Sequence, residues 1–240
     1  MPAKYRCVLL TSDRADLAAA AEATASALFD VAHVSRHARR ETAFPAAAAE
    51  AVGRGDVDVL LNFLAPMIVP PRVLEGVRRE AINFHPAPPD WPGIGSASYA
   101  LYRGDAEFGV TAHRMTAAID GGEIVRVMRF PVEREDTCET LFDRALGHSV
   151  GVFRDVCEAF ARDGRLQPSG ERWGRPAITR KEFERWMLLS PEDPREDVAR
   201  KVRALKHSRL PGPFFLIGGE RVPVDHVSLA PATHAGRKTS

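Results

Sequence analysis

Asn83 and His85 are two positions apart, with Phe84 between them, in the apolar stretch AINFH from Ala81 to His85. Side chains alternate along a strand, so these two share a face while Ile82 and Phe84 point the other way into packing. Pro86 keeps His85 extended and ends the strand there. Open α/β sheets hold their ligands at this carboxyl end. A side-chain amide is a neutral donor suited to a developing oxyanion, and imidazole titrates in the range useful for moving protons. Asp120, ahead of Gly121 and Gly122, supplies a carboxylate that can orient or charge-stabilise an imidazole. Taken singly, an Asn-x-His pair more often satisfies local backbone groups, and Asp-Gly is a favoured turn dipeptide. His113 falls in a second strand-like run; Thr111, His113 and Met115 share one face there, and Val110, Ala112 and Arg114 the other. A supporting role for His113 is as consistent with that pattern as a structural one.

The elements that must position these groups alternate. YRCVLL (Tyr5 to Leu10) reads as a buried strand, and ADLAAAAEATASALF as the helix after it. VAHV from Val31 is a second strand, SRHARRETAFP a disorder-tolerant piece, and a helix follows near Ala46. Val57 to Phe63 is a third strand, Pro70 and Pro71 open another helix, and Ala81 to His85 is the fourth strand. Strands and helices in this rhythm predict a mostly parallel α/β sheet. A Pro- and Gly-rich loop then runs from Pro86 to Gly95, with a short helix from Tyr99 to Arg103. FGVTAHRM and EIVRVMRF follow as two strands. Asp136 to Glu139 has the form of a capping box, with Glu139 reaching back to the cap, ahead of a long amphipathic helix through Phe160. RDGRLQPSGERWGRPA is a linker by composition. Beyond it are a helix over Glu192 to His207 and a hairpin, FFLI-GG-ERVPV, turning at Gly218-Gly219. These readings divide the chain into a catalytic domain over 1–165, a small α+β appendage over 166–230 and a frayed tail over 231–240.

The 240 residues carry 33 Lys and Arg against 32 Asp and Glu, a net charge of +1, so no global attraction to DNA or other polyanions is expected. Cys7, Cys138 and Cys157 are widely spaced; nothing suggests zinc or a disulfide framework, and they read as free thiols in a reducing, cytosolic setting. No apolar run reaches membrane-spanning length, so no membrane partner is expected.

INFHPAPPDWPGIG followed by FGVTAHRMTAAIDGGEIV resembles the folate-dependent formyltransferases. The resemblance covers roughly Tyr5 to Phe160. It implies a Rossmann-like formyltransferase domain, 10-formyltetrahydrofolate as formyl donor, and Asn83, His85 and Asp120 as the catalytic trio. It also implies that the pterin is held by backbone groups of Leu64, Ala65, Pro66 and Met67 after the third strand, and of Thr116, Ala117, Ala118 and Ile119 before Asp120.

Within that family the sequence is closest to the sugar N-formyltransferases, which formylate a nucleotide-linked 4-amino-4,6-dideoxy sugar. INFHPAPPDWPGIG, ALYRGDAEFGVTAH, KVRALKH and PGPFFLIGG carry this likeness. Trp91, Tyr99 and Arg103 are then candidates to line the acceptor pocket, with Trp91 equally able to serve as a packing plug. A tRNA acceptor is disfavoured because only about 70 residues follow the linker and the Leu-Leu-Pro element of tRNA-type members is missing. LLTSDRADL lacks the glycine-rich phosphate loop of members acting on glycinamide ribonucleotide. The alternatives are a hydroxyornithine or methionyl-tRNA acceptor, or hydrolysis of the formyl donor. The basic run from Arg195 to Arg209 reads as the solvated face of a helix, and the FFLI edge as a surface for homodimerisation.

Overall fold

Residues 4–38 and 43–224 of the computed structural model are described. The order is β1 (Arg6–Ser12), α1 (Ala15–Leu28), β2 (Asp30–His37), α2 (Ala46–Gly53), β3 (Val59–Phe63), α3 (Pro71–Glu75), β4 (Glu80–His85), α4 (Ser96–Arg103), β5 (Glu107–Arg114), β6 (Ile124–Pro131), α5 (Cys138–Asp163), α6 (Arg180–Met187), α7 (Arg195–Ala204), β7 (Phe214–Ile217) and β8 (Glu220–Pro223). Six strands form one sheet in the order β2-β1-β3-β4-β5-β6. The first four are parallel, and β5 and β6 join antiparallel. This is the Rossmann-like, mostly parallel architecture expected from the alternation, with β7 and β8 as a separate hairpin turning at Gly218 and Gly219.

Both faces of the sheet are packed, which is why its strands read as continuous apolar runs. Cys7, Leu9, Leu61, Phe63, Ile82 and Phe84 join the core shared with α1, α4 and α5. Val8, Leu10 and Leu60 join a second core under α2 and α3. All three cysteines are free and buried, and burial pushes the Cys138 thiol up to about 11. Among the described residues no helix is long and apolar enough to cross a membrane.

Several local expectations need correction. β2 extends through Ser35, Arg36 and His37, because parallel pairing with β1 continues to Ser12. The cap of α5 is Thr137, bonded reciprocally with Thr140. Glu139 is drawn away to Ser208 instead. Helix α6, invisible in a strongly charged stretch, has its own cap, Thr179. The basic residues of α7 are engaged locally: Arg200 with Asp197 and the Tyr102 ring, Lys201 with Asp193. The tail over 231–240 lies outside the described residues.

The segment after α5, a linker by composition, is seated on the sheet. Arg114 makes two bonds to Glu80, and both bond Leu166: the Arg114 guanidinium donates to its carbonyl, and its N–H donates to Glu80. Trp173 donates through Nε1 to the Gly122 carbonyl at 2.7 Å. Ile178 pairs with Gly93 so closely that a Cβ on Gly93 would lie 2.3 Å from the Ile178 carbonyl oxygen.

Phe153 of α5 ties the helix to the strands that carry the site, with ring centroids 4.7 Å from Phe63 and 5.0 Å from Phe84. Phe153→Ala is expected to lower stability by about 3–5 kcal/mol, because the cavity cannot collapse against a sheet packed on both faces. Urea unfolding of the variant checks this; a cost below about 1 kcal/mol would mean that the helix is not anchored there.

Candidate active site

The site begins with register. Asn62 on β3 is the cross-strand neighbour of Asn83 on β4, and Asn83 is that of His113 on β5. Three polar side chains therefore stand in a row on strands whose other residues are packed. The Asn62 amide nitrogen lies 3.0 Å from the Asn83 side-chain oxygen. The Asn83 amide nitrogen lies 3.0 Å from His113 Nε2, and His113 Nδ1 lies 2.9 Å from the Arg114 carbonyl oxygen.

Asp120 joins this row to His85. Its Oδ2 is 3.3 Å from His85 Nδ1 and accepts from the Gly93 N–H at 2.8 Å, while its Oδ1 is 3.3 Å from His113 Nε2. His85 Nε2 faces the Trp91 carbonyl oxygen at 3.0 Å. Both nitrogens of His85 thus meet acceptors, an arrangement that suits a ring carrying hydrogen on each. Burial alone would raise the Asp120 carboxyl. The charge of His85, the neighbouring His113 and the Gly93 N–H outweigh burial and hold it down at about 2.

A cleft of about 90 Å³ opens beside these groups. Met67, Ile68 and Val69 wall it on one side and Thr116 to Asp120 on the other, with Asn62, Asn83 and His113 between. Thr116, Ala117, Ala118 and Ile119 line it as the resemblance implies. On the β3 side the wall is displaced: Met67 lines it, but Ala65 is buried in the second core and Leu64 packs against the first. The only non-glycine residues with positive φ among those described are Leu64 (φ 60) and Asp120 (φ 41). Left-handed backbone costs a Leu on the order of 1–2 kcal/mol, and such strain concentrates where function requires a fixed turn. Ile68 and Ile119 are exposed at the cleft, apolar surface available to a flat ligand.

The expected acceptor-lining residues are placed elsewhere. Trp91 and Tyr99 are buried, their rings stacked at 5.5 Å, and Trp91 donates to Asp105. The Arg103 guanidinium covers the Trp91 ring and pairs with Asp105. None of the three lines the cleft. Instead Trp173 sets its ring edge-on to His113 at 5.1 Å and to His85 at 6.1 Å. Its other surroundings are a hollow of about 390 Å³ between Gly121–Ile124 and Pro168–Arg172. Two contributors were missed in the sequence. Asn62 was signalled as the one polar residue inside VLLNF, and Trp173 as an aromatic in an otherwise polar, Gly-rich stretch.

A family model described as formyl transferase matches residues 2–156. A methionyl-tRNA formyltransferase of Burkholderia multivorans is 29% identical over 202 residues, covering 82% of this chain and 61% of that protein. The chain thus spans about three fifths of that curated relative's length. Among solved structures, a sugar N-formyltransferase from Shewanella sp. superimposes with a TM-score of 0.70 at 18% identity, covering 92% of this chain and 96% of the other. HypX from Aquifex aeolicus, solved with tetrahydrofolic acid, gives 0.63 at 20% identity over 91% of this chain and 37% of its own.

The carboxyl of Asp120 has a testable signature. A group held below its unfolded value of about 4 contributes stability above that pH, and the contribution is lost as pH falls through the folded value. Asp120→Asn keeps the size and tolerates the left-handed turn. The wild type should exceed this variant at pH 5 by a carboxylate term on the order of 2 kcal/mol that shrinks steadily below about pH 4. Urea midpoints across that range measure it, and a gap independent of pH would show that the carboxylate is not held low. With its fold, its polar row and the matched residues 2–156 taken together, the chain belongs to the formyl transferase family.

Proposed function

We propose that the protein transfers the formyl group of 10-formyltetrahydrofolate to the amine of a nucleotide-linked 4-amino-4,6-dideoxy sugar. The observation that carries the reaction is a cleft lined by Asn83 and Asp120, with His85 held against the Asp120 carboxylate at 3.3 Å. The cleft fits a pterin: Ile68 and Ile119 offer apolar faces to a flat ring.

In this reading the acceptor amine attacks the formyl carbon while Asn83 donates its free amide hydrogen to the oxygen that gains charge. One such donor contributes about 3 kcal/mol to the barrier. Asp120 orients His85 through Nδ1. His85, released from the Trp91 carbonyl, gives a proton to the leaving nitrogen of the folate and regains one from the attacking amine. The carbon–nitrogen bond to the folate breaks, the new amide bond forms, and the net proton passes from amine to folate. The hollow beside Trp173 is the route by which the acceptor reaches this centre.

The sugar acceptor is supported by the length over which the fold agrees. The Shewanella sugar N-formyltransferase agrees in fold over 92% of this chain, the segment after α5 included. The separate hairpin, with Leu216 and Ile217 exposed, supports self-association through the region after residue 165.

A mass-spectrometric screen with 10-formyltetrahydrofolate tests the acceptor, using dTDP- and GDP-linked 4-amino sugars, hydroxyornithine and methionyl-tRNA. A formyl mass gain on a nucleotide sugar is expected. A gain confined to hydroxyornithine or tRNA overturns the sugar and keeps the reaction. Asn83→Ala and His85→Ala should each lower kcat by about 10²–10³, and full turnover in either would end the mechanism. Trp173→Ala should raise KM for the acceptor with little change in KM for the folate.

A further inference from the structure

The polar row has one fixed end. The Arg114 carbonyl can only accept, so His113 carries a hydrogen on Nδ1. His113 Nε2 lies between the Asn83 amide nitrogen at 3.0 Å and Asp120 Oδ1 at 3.3 Å, so this end does not fix which way the Asn83 amide turns. At the other end the Asn83 oxygen points towards β3, where the Asn62 amide nitrogen meets it at 3.0 Å.

We propose that Asn62 is a positioning residue for formyl transfer: its amide N–H pins the Asn83 oxygen, so that the second Asn83 amide hydrogen is presented to the cleft. This rests on the reading of Asn83 as the oxyanion donor. An Asn side chain has two orientations that differ only in which end carries hydrogen, and the wrong one offers a lone pair to the developing charge. A donor at the far end selects the right one. The burial of Asn62 points the same way. It is 4% exposed on a strand whose every residue is buried, and its oxygen has no protein partner. A buried polar side chain left half unsatisfied costs stability without a compensating packing gain. The half that is satisfied reaches Asn83.

The test is a double-variant cycle on kcat with 10-formyltetrahydrofolate and dTDP-linked 4-amino-4,6-dideoxyglucose. Asn62→Leu keeps the branched shape and removes the donor; Asn62→Val, smaller, is the second choice should the first not fold. Asn62→Leu should lower kcat about tenfold to a hundredfold with KM for the folate within about twofold, since the lost interaction acts in the transition state. In the Asn83→Ala background the same change should cost nothing more. Unchanged kcat, or an equal loss in both backgrounds, overturns the positioning role. Full turnover in Asn83→Ala alone instead overturns the parent reading. Should the wild type not formylate this sugar, the side-chain amide signals of ¹⁵N-labelled protein decide. The Asn83 pair, assigned by its loss in Asn83→Ala, should shift in Asn62→Leu. An unmoved pair overturns the positioning role.

Discussion

The structure turns on a conflict between burial and polarity at the middle of the sheet. β3, β4 and β5 are packed on both faces, yet Asn62, Asn83 and His113 lie side by side across them. Buried polar groups must find partners, and here they find one another. The row ends on the Arg114 carbonyl, and Arg114 is itself held by two bonds to Glu80, the first residue of β4. Antiparallel entry of β5 makes this possible, because it sets His113 opposite Asn83 and returns the chain to Glu80. The site is therefore built on strands, whose packing fixes side chains more closely than loops do.

The loops supply what strands cannot. Leu64 turns the chain out of β3 in a left-handed conformation, and Asp120 does the same after β5. The second turn brings its carboxylate back between two histidines and onto the Gly93 N–H. Gly93 also lies against the Ile178 backbone so closely that a side chain there would collide with it. The region after α5 thus touches the polar site twice, through Ile178 against Gly93 and through Trp173 against both imidazoles.

Much of this was legible in the residues. The alternation of apolar runs with helical stretches implied the parallel sheet, and Asn83 and His85 declared a shared face by their spacing alone. Asp120 needed the family likeness, since an Asp-Gly turn carries no chemistry by itself. The errors have physical sources. Trp91 and Tyr99, candidates for the acceptor pocket by family likeness, stack against each other and are buried away from the cleft. The cap of α5 fell one residue later than expected because Glu139 is pulled to Ser208, a partner 69 residues away in the chain.

What the sequence determined by itself is the set of local periodicities: which runs are strands, which face Asn83 and His85 share, and where the chain must turn. Those depend on neighbours within a few residues. Only the tertiary structure decided that Asn62 stands beside Asn83, that His113 closes the row, and that Trp173 covers it. Strand order and register bring these together from 21, 30 and 90 residues away, and no local pattern encodes such distances.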